Sequence, residues 1–241
     1  MTVRWYPEID STNSEALRHL PELAHGTVLA ALSQTAGRGQ RGNSWYAAPG
    51  QNLTFSIVLR PAGLPAADAV WLNHLASVAV ADFLEGMGVP CSIKWPNDIY
   101  AGRRKICGML IENSFHGSMV DASVIGIGIN LNQTAFPQLA NATSVKLCTG
   151  KDADLETSLR QFLDTFERLM PEALEEGKRP ALFQRYTARL FQLGTPARYH
   201  DYLCGQEYTG TLRGVLPDGR LWIDAPDGPR YYQFKEVGFV L

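Results

Sequence analysis

No stretch of this chain approaches the roughly 18 consecutive apolar residues of a membrane-spanning helix. The opening residues, MTVRWYPEID, carry no apolar signal core. The expected location is therefore the cytoplasm, with no membrane partner. Cysteine is scarce: Cys91, Cys107, Cys148 and Cys204 are scattered, without a CxxC pair or a histidine at ligand spacing. That excludes a zinc finger or a disulfide framework, implies no protein-bound metal, and predicts four reduced core thiols. Excess charge of one sign is also lacking, since 22 Lys and Arg face 24 Asp and Glu for a net charge of -2. Nucleic acid is not an expected partner, and any basic site must be local. Neither common nucleotide fingerprint is present: there is no GxxxxGK[ST], and no GxGxxG follows a strand.

What is present organises 241 residues into a large domain, residues 1–192, and a small one, residues 193–241. Thr12 stands three residues before Glu15, a capping-box spacing that predicts a helix start ahead of Ala16, Leu17 and Leu20. Residues 27–33 form an apolar strand candidate, and Leu53, Phe55, Ile57 and Leu59 alternate as in a half-buried strand. Helical periodicity runs from Val70 to Leu84 and stops at Gly86 and Gly88. Strands are predicted at 92–95, 107–113 and 119–130, the last two joined by a short turn near His116 and Gly117. Two helices follow, over 155–169 and from Pro180 to about Leu190. Beyond Thr195 short strands at 197–203, 208–215, 221–224 and 231–235 are punctuated by the turns Pro217-Asp218-Gly219 and Pro226-Asp227-Gly228. This order of elements predicts an α+β fold with a mixed central sheet flanked by helices, followed by a small barrel or sheet. An exposed edge of the central sheet could pair two copies into a homodimer.

Four blocks carry chemistry. GRGQRGNSW at 37–45 mixes glycines, whose backbone approaches ligands closely, with guanidinium donors suited to phosphate or carboxylate. KWPND at 94–98 precedes the basic run Arg103, Arg104 and Lys105, and GMLIE at 108–112 and GIGIN at 126–130 follow. Each block alone has a plain structural account, whether flexible loop, solvated hairpin tip or close-packed strand.

In this order the four blocks resemble the biotin protein ligases, most closely over residues 11–132. The resemblance implies the biotin/lipoate ligase catalytic fold with a C-terminal SH3-like barrel. It also implies ATP-dependent activation of biotin to biotinyl-5′-AMP with pyrophosphate release, then transfer to a lysine of a biotin carboxyl carrier protein or domain. By motif match, Lys105 takes the catalytic lysine's place, with Arg38, Arg41 and Asp98 beside it. The implied ligand contacts are Ser11, Thr12, Asn13 and Gln34 for the ureido ring, and Gly37, Arg38, Gly39 and Gln40 in the glycine-rich loop. Trp45 is implied near adenine, and Lys94, Asn97, Gly108 and Asn130 complete the set. Gln34, where a strand enters the loop, has no structural duty that the sequence reveals. Gln40 stands where many relatives carry a second arginine, so a charge credited with retaining the adenylate is missing. Mg²⁺ is expected with ATP, bound through few protein oxygens and the substrate phosphates. Only ten residues precede Ser11, too few for a DNA-binding domain, which implies the monofunctional form with no repressor role. Lipoate or octanoate transfer is the nearest rival, and a non-catalytic binding protein the rival of another class.

Overall fold

The computed structural model describes residues 1–137, 139 and 141–240, without the side chain of Arg41. In chain order its elements are β1 (Thr2–Tyr6), α1 (Thr12–Arg18), β2 (Thr27–Ala31), β3 (Leu53–Leu59) and α2 (Val70–Gly86). Next come β4 (Ser92–Lys94), β5 (Asp98–Ala101), β6 (Arg104–His116), β7 (Met119–Ile129), α3 (Val145–Thr149), α4 (Leu155–Leu174) and α5 (Arg179–Ala188). The last five strands are β8 (Pro196–Asp201), β9 (Gln206–Val215), β10 (Leu221–Ala225), β11 (Gly228–Tyr232) and β12 (Val237–Phe239).

Seven strands form one mixed sheet in the order β1-β2-β3-β7-β6-β5-β4, with β1 parallel to β2 and every other pair antiparallel. Side chains alternate across strands, so the register decides what each face carries. On one face Phe55 packs edge-on to Phe162 of α4 at 5.1 Å, and Phe162 meets Phe83 of α2 and Phe166. Ile57, Ile125, Ile127 and Met109 join the same core. The other face presents two rows, Thr54-Gly128-Gly108 and Ser56-Gly126-Leu110. Helix α1 covers part of this second face, its Ala16 packing with Leu29, Val58 and Val124. For that reason β3 is buried along its whole length rather than half-buried, as its alternation predicts.

The five C-terminal strands make a second, wholly antiparallel sheet in the order β11-β10-β9-β8-β12. Tyr199, Leu212, Ile223 and Tyr232 belong to the same continuous apolar core as the large sheet. The Trp95 indole N–H donates to Gly219 O at 3.0 Å, tying the two sheets together. Buried Asp201 accepts from the Tyr232 hydroxyl at 2.7 Å and from Arg230 at 3.2 Å, so this interior carboxylate is fully partnered.

Several expectations need correction. The α1 cap is Ser11, not Thr12: the Ser11 hydroxyl accepts from Ser14 N–H, while Thr12 is already helical. Strands β1, β5 and β12 and helix α3 carry no clear periodicity, and the sequence did not reveal them. Of the four free cysteines only Cys107 is buried; Cys91 is half-buried, and Cys148 and Cys204 are exposed and therefore not core thiols. Among the described residues no helix is long and apolar enough to cross a membrane.

Candidate active site

The glycine rows explain where the site lies. A Cβ on Gly126 would stand 2.0 Å from Asn13 Oδ1, and one on Gly128 would stand 2.3 Å from the Trp45 indole. Only glycine admits those side chains onto the sheet. The space above these glycines is thus filled by protein side chains. The two rows are two residues apart, roughly 7 Å along the strands. Beside them opens a cavity of about 360 Å³, within the usual size of a small-molecule site.

Ser11, Thr12, Asn13, Gln34, Arg38, Gly39, Gln40, Trp45, Lys94, Asn97, Asp98, Lys105 and Gly108 all line this cavity. Residues as distant in sequence as Ser11 and Gly108 are thereby brought together. Gly37 and Asn130 do not line it. Gly37 instead lets the loop close on itself: it accepts from Trp45 N–H at 2.8 Å, and a Cβ there would meet Trp45 O at 2.3 Å. Asn130 is buried, donating to Thr143 O at 3.0 Å, with its Oδ1 unpartnered among the described residues. The Arg41 side chain lies outside the described residues.

Among the described residues three cations face the cavity. Lys105 Nζ lies 2.7 Å from Asp98 Oδ1, and both side chains are partly exposed. Such a pair is worth at most about 1 kcal/mol, so an arriving phosphate can compete for the ammonium. Lys105 is therefore not a solvated hairpin tip; the β5–β6 turn is at Gly102 and Arg103. Lys94 donates to the Tyr100 hydroxyl at 3.3 Å and lies over the Tyr100 and Phe239 rings. Desolvation lowers its pKa; the Asp98 carboxylate opposes this and the Lys105 charge adds to it. Arg38 makes a bidentate fork with Glu112, at 3.0 and 2.7 Å.

Uncharged polar groups form the rest. Gln34 Oε1 accepts from Thr12 N–H at 2.8 Å, so Gln34 does have a structural duty, anchoring the start of α1. Asn13 Nδ2 donates to Glu112 Oε2 at 2.9 Å and Leu110 O at 3.2 Å. Fully buried Ser56 places its hydroxyl 2.7 Å from Thr12 Oγ1 and 2.6 Å from Asn13 Oδ1. Asn97 is buried and donates to Met109 O. The Trp45 ring packs over Gly108 and Gly128, with its N–H unpartnered among the described residues.

Sequence reasoning missed part of the lining. Glu112 and Ser56 act behind the cavity wall, although Glu112 closes one of the four blocks. Tyr202, Phe234, Val237, Gly238 and Phe239 come from the small sheet and complete the enclosure. No local pattern marks them, because their role is set by how the small sheet docks.

Among the described residues, an α+β domain holds three cations against a polar pocket between a glycine-bearing sheet and the 37–45 loop, an arrangement suited to binding a small anionic molecule. The biotin/lipoate A/B protein ligase family matches residues 5–130. A biotin--[acetyl-CoA-carboxylase] ligase of Paracoccus denitrificans is 33% identical over 238 residues, covering 95% of this chain and 97% of the relative. One from Mycobacterium tuberculosis is 30% identical over 220 residues, covering 89% and 80%. The Aquifex aeolicus biotin protein ligase solved with biotin and ATP superposes with a TM-score of 0.81 at 28% identity, covering 99% of this chain and 98% of that one. The chain belongs to the biotin/lipoate A/B protein ligase family.

Proposed function

We propose that this chain is a biotin ligase: it activates biotin with ATP to biotinyl-5′-AMP and transfers the biotinyl group to a carboxylase lysine. The convergence of Arg38, Lys94 and Lys105 with Ser11, Thr12, Asn13 and Gln34 in one cavity carries this reading. It agrees with the relatives' activity and with the biotin and ATP bound to the Aquifex aeolicus structure.

In the first step a biotin carboxylate oxygen attacks the α-phosphorus of ATP, and the bond to the β-phosphate's bridging oxygen breaks to release pyrophosphate. Two anions must be brought together, so positive charge and positioning supply most of the catalysis. Lys105, freed from Asp98, neutralises the carboxylate and the α-phosphate together, a task for a compact point charge. Lys94 adds a second positive charge from a desolvated position, where its field is less screened. Arg38 contributes from the loop once ligand competes with Glu112. In the second step the acceptor amine attacks the anhydride carbonyl, AMP leaves, and the amine sheds a proton. Asp98, released when Lys105 turns to phosphate, is placed to receive that proton.

The residue roles follow the same reading, with Trp45 next to adenine and Gly39 and Gln40 in the wrapping loop. Arg41 and Asn130 are proposed on motif match alone. Among the described residues no group of three His, Cys, Asp or Glu side chains could hold a metal, and Asp98 is the cavity's one carboxylate there. That donor set does not fit a resident cation. Mg²⁺ is proposed to arrive with the ATP phosphates as part of the substrate.

The acceptor is a biotin carboxyl carrier protein or domain, and the site of action is the cytoplasm. The proposed division is a catalytic domain over residues 1–192 and an SH3-like domain over 193–241, a reading supported by the presence of two separate sheets. A homodimer would use the outer edge of β1, whose Val3 and Trp5 are exposed.

Mass spectrometry of a carrier domain incubated with biotin, ATP and the protein tests the function. The expected result is a biotin-sized gain on one lysine, slowed about 100-fold or more by Lys105→Ala. No gain with the unaltered chain, or stronger competition by lipoate than by biotin in adenylate formation, would overturn the assignment.

A further inference from the structure

The side chains behind the polar pocket fix the direction of every hydrogen bond between them. Asn13 Nδ2 faces two groups that only accept, the Leu110 carbonyl at 3.2 Å and the Glu112 carboxylate at 2.9 Å, so its amide orientation is determined. Asn13 Oδ1 therefore points at Ser56. A carbonyl oxygen cannot donate, so the single Ser56 proton lies in the 2.6 Å contact to Asn13 Oδ1. The remaining 2.7 Å contact needs a proton from the other partner, and Thr12 Oγ1–H must donate to Ser56. The Thr12 proton is thus spent inward, leaving only lone pairs for a ligand. Glu112 anchors this one-way series, its charge fixed by the Arg38 fork and by Asn13.

We infer that Ser56 and Glu112 are positioning residues that set Thr12 as an obligate acceptor, selecting a ligand that offers an N–H there. The neighbouring groups have the opposite polarity. Gln34 Oε1 is occupied by Thr12 N–H, which leaves its Nε2 donors. The Ser11 hydroxyl accepts from Ser14 N–H and retains its own proton. One acceptor beside two donors complements a cyclic urea, in which an N–H adjoins a carbonyl oxygen. Ser56 itself is sealed from the cavity and acts through the two lining residues it touches, Thr12 and Asn13. Gly126 belongs to the same device, because a Cβ there would displace Asn13.

The inference rests on the biotin reading and is separable from it. Calorimetry would measure biotin binding to the unaltered chain, Ser56→Ala, Thr12→Val and the double variant, with KM and kcat for adenylate formation alongside. Ser56→Ala should weaken biotin about tenfold, the scale of one neutral hydrogen bond, through KM with kcat within about twofold. The double variant should lose clearly less than the sum of the two single losses, since part of the Ser56 effect reaches the ligand through Thr12. Additive losses, or full affinity in Ser56→Ala, would overturn the inference while leaving the ligase assignment intact. Failure of the unaltered chain to bind biotin would instead overturn the assignment. Should Ser56→Ala not fold, Ser56→Cys, which keeps the volume with a far weaker donor, takes its place in the cycle. The same sub-additivity with Thr12→Val is then expected, and additivity again counts against the proposal.

Discussion

Gly128 and Trp45 show how one missing side chain positions another. A methyl at Gly128 would lie 2.3 Å from the indole, and an indole cannot yield by bending. Gly128→Ala is expected to cost about 1–3 kcal/mol, the usual range for overpacking. The loss should largely vanish in a Trp45→Ala background when both are compared by urea unfolding. An undiminished cost there would place the clash elsewhere. At this scale the sequence was legible where a motif carried the residue: Arg38, Lys94, Asp98 and Lys105 all reach the cavity. Gln34 and Thr12 were harder. Their duties depend on a contact between them across 22 positions, and spacing along the chain does not reveal such a pairing.

Among the elements, the loop at 37–45 is held mainly at its ends. Gly39 N–H donates to Asn43 O at 2.7 Å, and Gln40–Gly42 makes one 3₁₀ turn. Beyond the Arg38 fork and the Trp45 ring, little ties it to the body. Ligand contacts should then supply the free energy that orders it. Trypsin cutting after Arg38 and Arg41 is expected to slow at least about tenfold with biotin and ATP together. Equal cutting with and without them would count against a closing loop. The long elements were readable because their periods are strong: α2 and β7 begin and end near their predicted positions, while α4 runs on to Leu174 and β6 extends at both ends, to Arg104 and His116. Strand β1 was not. Four of its five residues are exposed, so no alternation betrays it, and pairing with β2 alone defines it.

For the whole molecule, the prediction concerns acid. His74 is buried among Trp71, Phe183 and Tyr186, with Nδ1 unpartnered. Burial lowers its pKa from 6.5 to about 4. Between those values the unfolded chain binds a proton that the folded chain refuses, so stability falls as pH drops through this window. The loss attributable to His74 is on the order of 3 kcal/mol at the acid end. Urea midpoints at pH 7.5, 5 and 4 should converge less steeply for His74→Phe than for the unaltered chain. Parallel pH profiles would remove His74 as the cause. The α+β class and the small C-terminal sheet were legible from turn chemistry and element order. How that sheet seats against the large one was not, because the seat is made by single contacts such as Trp95 to Gly219.

That seat has a practical consequence. Tyr202, Phe234 and Phe239 wall a chamber whose floor lies before residue 130. An enzyme trimmed after α5 would keep its motif residues yet leave a mixed anhydride open to hydrolysis. A shortened version should therefore lose surface turns and retain its tail.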